Sequence, residues 1–143
     1  MCEDNIKRVQ DIYACFKRGD IPAVLAGLSE DAKFGMVGRA KDVPMAGLRL
    51  GKAGAAEFFR LLNETQELRN FRPMKFAAND DTVFVLGHTE WTMRRNGVSG
   101  ENDWVHVFTF DGKGICTGFQ GHQDTGLLAE AYHGKPAALR VAI

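Results

Sequence analysis

A chain of 143 residues suits one domain and is long enough to bury a core. Eighteen Lys plus Arg balance eighteen Asp plus Glu, so the formal net charge is zero and no basic excess exists to neutralise nucleic acid or to hold a membrane surface. Three cysteines, Cys2, Cys15 and Cys116, form neither a C-x-x-C pair nor a zinc-spaced His/Cys cluster, so no metal site and no cofactor is expected. Reduced thiols, an acidic start without signal-peptide character and the lack of a membrane-length apolar run make a cytoplasmic location the expectation.

The first element is an amphipathic helix: Ile6, Val9, Ile12, Tyr13 and Phe16 recur at steps of three and four. Arg18-Gly19-Asp20 stops it, and Asp20 with Pro22 can cap and start a second, short helix through Leu28. Residues 32–37 predict a short strand, and 38–51, punctuated by Gly38, Pro44, Gly47 and Gly51, a loop with extended pieces. A third helix is expected from Lys52 to about Leu68, packing through Phe58, Phe59, Leu61 and Leu62.

After Pro73 the period changes. Residues 71–78 predict a strand ending at Asn79-Asp80-Asp81, and Val83 to Met93 a second strand ending at the hairpin signal Asn96-Gly97. Trp104 to Phe110 alternates and closes at Asp111-Gly112-Lys113-Gly114; Ile115 to Gln123 is the last strand. Asp124-Thr125 opens a short final helix, and the tail, 132–143, is expected to be loose. Helices followed by consecutive hairpins leave no room for βαβ crossovers, which excludes a doubly wound parallel sheet. The expectation is a single α+β domain with its core at about 6–131, a curved antiparallel sheet wrapped around N-terminal helices and leaving an internal pocket.

Three local strings, in order, resemble the SnoaL-like (ketosteroid-isomerase-like) group of the nuclear-transport-factor-2-like superfamily. They are Ile12 to Ala23 in the first helix and turn, Val43 to Gly51 with Ala56-Glu57-Phe58-Phe59 entering the third helix, and His106 to Lys113 with Asp124-Thr125 at the closing hairpin. The resemblance implies the cone fold and a homodimer paired through the sheet, and it leaves activity open, because the fold hosts isomerases, cyclases, hydrolases, dehydratases and non-catalytic modules. Matched to ketosteroid isomerases, the chain has Met36 where the carboxylate base belongs, His106 at the oxyanion acid, and Ile12, next to Tyr13, at the tyrosine. Matched to polyketide cyclases, His106 takes the histidine position and Gln120 the aspartate position, with His122 or Asp124 close enough to substitute. The Asp-Arg-Asp set of epoxide hydrolases finds no placement.

Alternation puts Trp104, His106, Phe108 and Phe110 on one face of their strand, and Gly87, Thr89, Trp91 and Met93 on one face of the preceding strand. Histidine flanked by aromatics is desolvated and neutral, usable as a base or donor. The candidate catalytic set is therefore His106 as proton carrier, Tyr13 as hydrogen-bond donor and Asp124 as an acid, against the alternatives of a core histidine, a core tyrosine and a helix cap. Trp91, with one N–H to offer, and Met36, Phe108, Trp104, Gln120 and His122 are the candidate ligand contacts, against plain core filling. His88 and Glu90 belong to the outer face. The expected partner is a small apolar molecule, bound with or without cofactor-free acid/base chemistry at a carbonyl carbon. The rival expectation is a non-catalytic binding or dimerisation module.

Overall fold

The computed structural model describes residues 2–135. Four helices and six strands follow one another as α1 (Cys2–Lys17), α2 (Ile21–Ala26), β1 (Leu28–Met36), β2 (Gly47–Leu50), α3 (Gly51–Thr65), β3 (Gln66–Asn79), β4 (Thr82–Met93), β5 (Ser99–Phe110), β6 (Cys116–Gln123) and α4 (Thr125–Tyr132). The expected tail lies, from residue 136 onward, outside the described residues. No helix among the described residues is long and apolar enough to cross a membrane.

The helix boundaries have local causes. Gly19, at φ +75°, takes the left-handed conformation that ends α1. The Asp20 carboxylate then accepts from the Ala23 N–H at 3.2 Å and caps α2, where Pro22 sits in the first turn and needs no donor. Asp124 caps α4 in the same way, accepting from Leu127 N–H at 3.0 Å.

The sheet runs β2-β1-β6-β5-β4-β3 and is open. From β6 through β3 it is the antiparallel meander that the hairpin signals predict, and β2 adds antiparallel to β1. The one departure is the β1–β6 pair, which is parallel, with Phe34 opposite Phe119 and Met36 opposite Gly121. No hairpin signal could announce it, because its partners lie more than eighty residues apart in sequence. It joins the strand after the first helices to the meander, so helices and sheet enclose one core.

Alternation along β4 and β5 is nearly complete: from Val83 to Met93 and from Asn102 to Phe110 every second residue is buried. The concave face carries Val85, Trp91, Trp104, His106 and Phe108, and α1 and α3 cover it through Val9, Tyr13 and Phe58. At Gly87, a Cβ would lie 2.1 Å from the Trp104 indole, so only glycine leaves this large ring room to lie against β4. That one missing side chain shapes the centre of the concave face.

Candidate functional site

A cavity of about 80 Å³ lies between the concave face and the helices. Its wall includes Tyr13 from α1, Met36 from β1, Phe58 and Phe59 from α3, Phe71 from β3, Thr89 and Trp91 from β4, Trp104, His106 and Phe108 from β5, and Phe119 and Gln123 from β6. No Asp, Glu, Lys or Arg is among the described residues that line it. Its chemistry therefore rests on a few neutral polar groups in an aromatic shell.

The central group is His106. Its ring stacks on Trp104 at 3.8 Å between centroids and 18°, and Phe71 stacks on the same indole at 5.1 Å and 13°, 6.3 Å from the imidazole. Phe119 meets the imidazole edge-on at 4.8 Å. Tyr13 Oη lies 2.8 Å from His106 Nδ1, a buried hydrogen bond between residues 93 positions apart. Either ring tautomer satisfies it. The phenol can donate to Nδ1, leaving the proton on Nε2, or Nδ1–H can donate to the phenol oxygen, leaving Nε2 an acceptor.

Nε2 has no hydrogen-bond partner among the described residues. Among the described residues the side-chain atoms that are both sealed and unpartnered are Ser29 Oγ and Arg49 Nε, so Nε2 faces open space, and the open space beside His106 is the cavity. Burial, and secondarily the charge of His122, hold the imidazole far below its ordinary value, at about 3. Burial likewise pushes the Tyr13 phenol above its usual range. Both groups are neutral at pH 7, and the pair offers the cavity one hydrogen-bonding site of adjustable sense.

The other polar atoms on the wall are mostly committed. Trp104 Nε1–H donates to Thr89 Oγ1 at 2.6 Å, and Trp91 Nε1–H donates to Asn102 Oδ1 at 2.7 Å. Asn102 Nδ2 in turn donates to Gln123 Oε1 at 3.3 Å, and the Gln123 amide abuts the Met36 sulfur. The indole N–H that the sequence offers to a ligand is thus spent on the fold, and Trp91 contributes only its apolar face.

The structure brings His106, Tyr13, Met36, Trp91, Trp104 and Phe108 together around one cavity. It does not bring Gln120, His122 or Asp124 there. Gln120 pairs with Val107 and His122 with Val105, on the convex side of the sheet, where both are exposed. The residue of β6 that faces inward beside Phe119 and Gly121 is Gln123. Asp124 follows it and turns its carboxylate to the α4 N-terminus. His88 lies on the convex face, its Nδ1 2.7 Å from Asp103 and its Nε2 3.0 Å from Glu101.

Among the polar groups on the wall, sequence reasoning misses Gln66 and Gln123, and it places Thr89 on the inward face of β4 without a role. Phe71 and Gln66 sit on a strand whose first residues mimic a helix. A bulge between Leu68 and Asn70 puts Leu68 and Phe71 on one face at a spacing of three. The start of β3 therefore carries a helical period, and its signal merges with α3.

Comparison with known proteins agrees with this architecture. No curated protein matches the chain. Among solved structures, an NTF2-like protein from Burkholderia xenovorans LB400 is 29% identical, with 92% of this chain and 98% of that one covered at a TM-score of 0.82. An NTF2-like protein of unknown function from Burkholderia pseudomallei K96243 is 27% identical over 90% of this chain and 96% of that one, at a TM-score of 0.81. TerC, co-crystallized with polyporic acid, is 28% identical over 91% of this chain and 98% of that one, at a TM-score of 0.77. The family model of the SnoaL-like domain matches residues 9–117, from the middle of α1 into β6, and the chain belongs to that family.

Proposed function

We propose that the chain binds a small, largely aromatic or otherwise apolar molecule in the internal cavity, with the Tyr13–His106 pair holding an oxygen of that molecule. The observation that carries this is the pair itself: a 2.8 Å hydrogen bond whose outer nitrogen, Nε2, is left unpartnered in an apolar enclosure. A buried polar atom without a partner is unfavourable, and a ligand carbonyl or hydroxyl at Nε2 relieves it. The stacked Phe71, Trp104 and His106 rings offer a flat wall suited to a planar ligand. The likeness to TerC, co-crystallized with polyporic acid, makes that compound the first probe.

A second reading, cofactor-free proton transfer at a carbonyl or enol carbon, is favoured by the tautomeric freedom of the pair, which lets one ring nitrogen take a proton as the other gives one up. Against a strong general base stands the low basicity of His106, with no carboxylate on the cavity wall among the described residues to raise it. Binding is therefore the primary function proposed, and catalysis is limited to ligands acidic enough to meet a weak base.

A homodimer paired through the outer sheet face belongs to the same proposal. Phe84, 42% exposed on β4, and Leu48, 67% exposed on β2, are the apolar side chains that such a pairing would cover. The proposed location is the cytoplasm, and the three cysteines are free thiols.

Ligand-dependent thermal stabilisation tests the binding function. A panel of polyporic acid, steroids, aromatic polyketides and terpenoids is expected to contain at least one compound that raises Tm, with about 2.7 kcal/mol gained at 100 times its dissociation constant. His106→Phe should abolish that gain while the protein stays folded. A panel that shifts nothing refutes ligand binding and leaves the assembly module standing.

A further inference from the structure

Gln66 stands where α3 ends and β3 begins. Its backbone N–H bonds the Leu62 carbonyl and closes the helix, and its Cα lies opposite Met93 in the ladder. The residue is 6% exposed, yet its carboxamide has no hydrogen-bond partner among the described residues. It is also not one of the sealed orphans, so it faces open space. That space is of two kinds, because Gln66 lines both the inner cavity and an outer groove of about 540 Å³. Phe16, Phe59, Leu62 and Leu68 are shared by the same two spaces. A buried carboxamide, donor and acceptor at once, is thus the polar group set into an otherwise apolar partition between the cavity and the surface.

The groove outside this partition carries cations that are already engaged. Arg60 pairs with Glu57 and with Glu64, and Arg94 donates to the Asn63 carbonyl at 2.6 Å with Glu67 at 3.9 Å. Little positive charge is left over for a carboxylate, which favours a neutral group at Gln66.

We propose that Gln66 is the outer anchor of an elongated, neutral ligand with two polar ends. One oxygen sits at Tyr13–His106, the other, a carbonyl or hydroxyl, sits at Gln66, and an apolar body lies between them along Leu68, Trp91 and Trp104. This rests on the ligand-binding function proposed above and names the class of ligand. The ladder sets the length: His106 pairs with Val85 and Gln66 with Met93, eight residues apart on β4. At roughly 3.3 Å per residue that is about 26 Å of strand, an upper bound on a concave surface.

The test uses straight 1-alkanols and α,ω-alkanediols of ten to eighteen carbons, with binding read by calorimetry on wild type, Gln66→Met and His106→Phe. At one chain length wild type should bind the diol about five- to tenfold more tightly than the alkanol, beyond the statistical factor of two for its identical ends. Gln66→Met should erase that preference, leave alkanol affinity within about twofold and move Tm by less than about 2 °C, because no protein partner is lost. His106→Phe should weaken both series. Equal binding of diol and alkanol at every length in wild type, or a diol preference that survives Gln66→Met, overturns the role of Gln66; alkanol binding weakened by His106→Phe would then show that the ligand-binding function stands. A Tm fall of more than about 4 °C in Gln66→Met assigns the carboxamide to the fold and overturns the proposal too. Binding of neither series overturns the elongated two-ended ligand and its outer anchor, while the thermal-shift panel above still decides the ligand-binding function.

Discussion

His106 sits among Trp104, Phe108 and Phe119 with its Nδ1 taken by Tyr13, so a proton added to the ring would be a bare charge in an aromatic enclosure. The energetic consequence has a definite sign. The unfolded chain takes up that proton near pH 6.5, whereas the folded chain resists it down to about pH 3. Above pH 6.5 both states are neutral and stability is complete. Between pH 6.5 and 3 the unfolded state binds more protons, and stability falls by up to about 1.4 kcal/mol per pH unit; below that window this group contributes no further loss. Urea unfolding at pH 7, 6 and 5 should show the decline in wild type, and His106→Gln should be flatter by about that slope. Equal slopes would mean that the imidazole is solvated. Tyr13→Phe isolates the other half of the pair. It removes the hydroxyl and leaves Nδ1 buried without a partner, which should cost about 1–3 kcal/mol at pH 7. An unchanged urea midpoint would remove the hydrogen bond from the account.

At the scale of the elements, alternation marks the inward face of β5 but not that of β6, where the candidates Gln120 and His122 come from the resemblance to polyketide cyclases. Along β5 the alternation of Trp104, His106, Phe108 and Phe110 is legible because each inward residue is aromatic or histidine and each outward residue is not. Along β6 the outward positions hold Gln120 and His122 and the inward ones Phe119, Gly121 and Gln123, so polarity does not mark the faces; only the ladder does. A register irregularity between Thr109 and Phe110, opposite the start of β6, removes what anchor the hairpin offered. The β3 bulge hid Gln66 for a related reason, since it gives the start of a strand the spacing of a helix and merges it with α3. Asp124 is the case where two local roles compete in sequence, cap and acid, and the hydrogen bond to Leu127 N–H fits the cap. Asp124→Ala should therefore lower stability by about 1 kcal/mol and leave ligand affinity unchanged. Urea midpoints beside a binding isotherm decide the matter: affinity lost without stability would return Asp124 to the site.

At the scale of the whole molecule, the cavity is small for the function proposed. Its volume of about 80 Å³ falls short of the roughly 300–1,000 Å³ of pockets that take drug-sized ligands. A planar aromatic ligand must therefore enter by moving walls, and the movable ones are on the helix side. β3 to β6 are tied by backbone ladders along their length, whereas α1 and α3 meet the sheet through side chains such as Ile12, Phe59 and Leu62, which are only partly buried. Opening the helix layer before binding predicts association well below the 10⁵ to 10⁷ M⁻¹s⁻¹ of preformed surfaces, taken as an order of magnitude, with an observed rate that levels off as ligand is raised. The chain carries its own reporter. It has two tryptophans, Trp91 and Trp104, and both line the cavity, so stopped-flow indole fluorescence sees nothing but the site and its immediate frame. A plateau common to different ligands gives the opening rate directly, and Phe59→Ala, which thins the helix-side wall, should raise it. A rate that climbs linearly with ligand to the diffusion range would instead mean that the cavity stands open in solution, and the helix layer would lose its part in the mechanism.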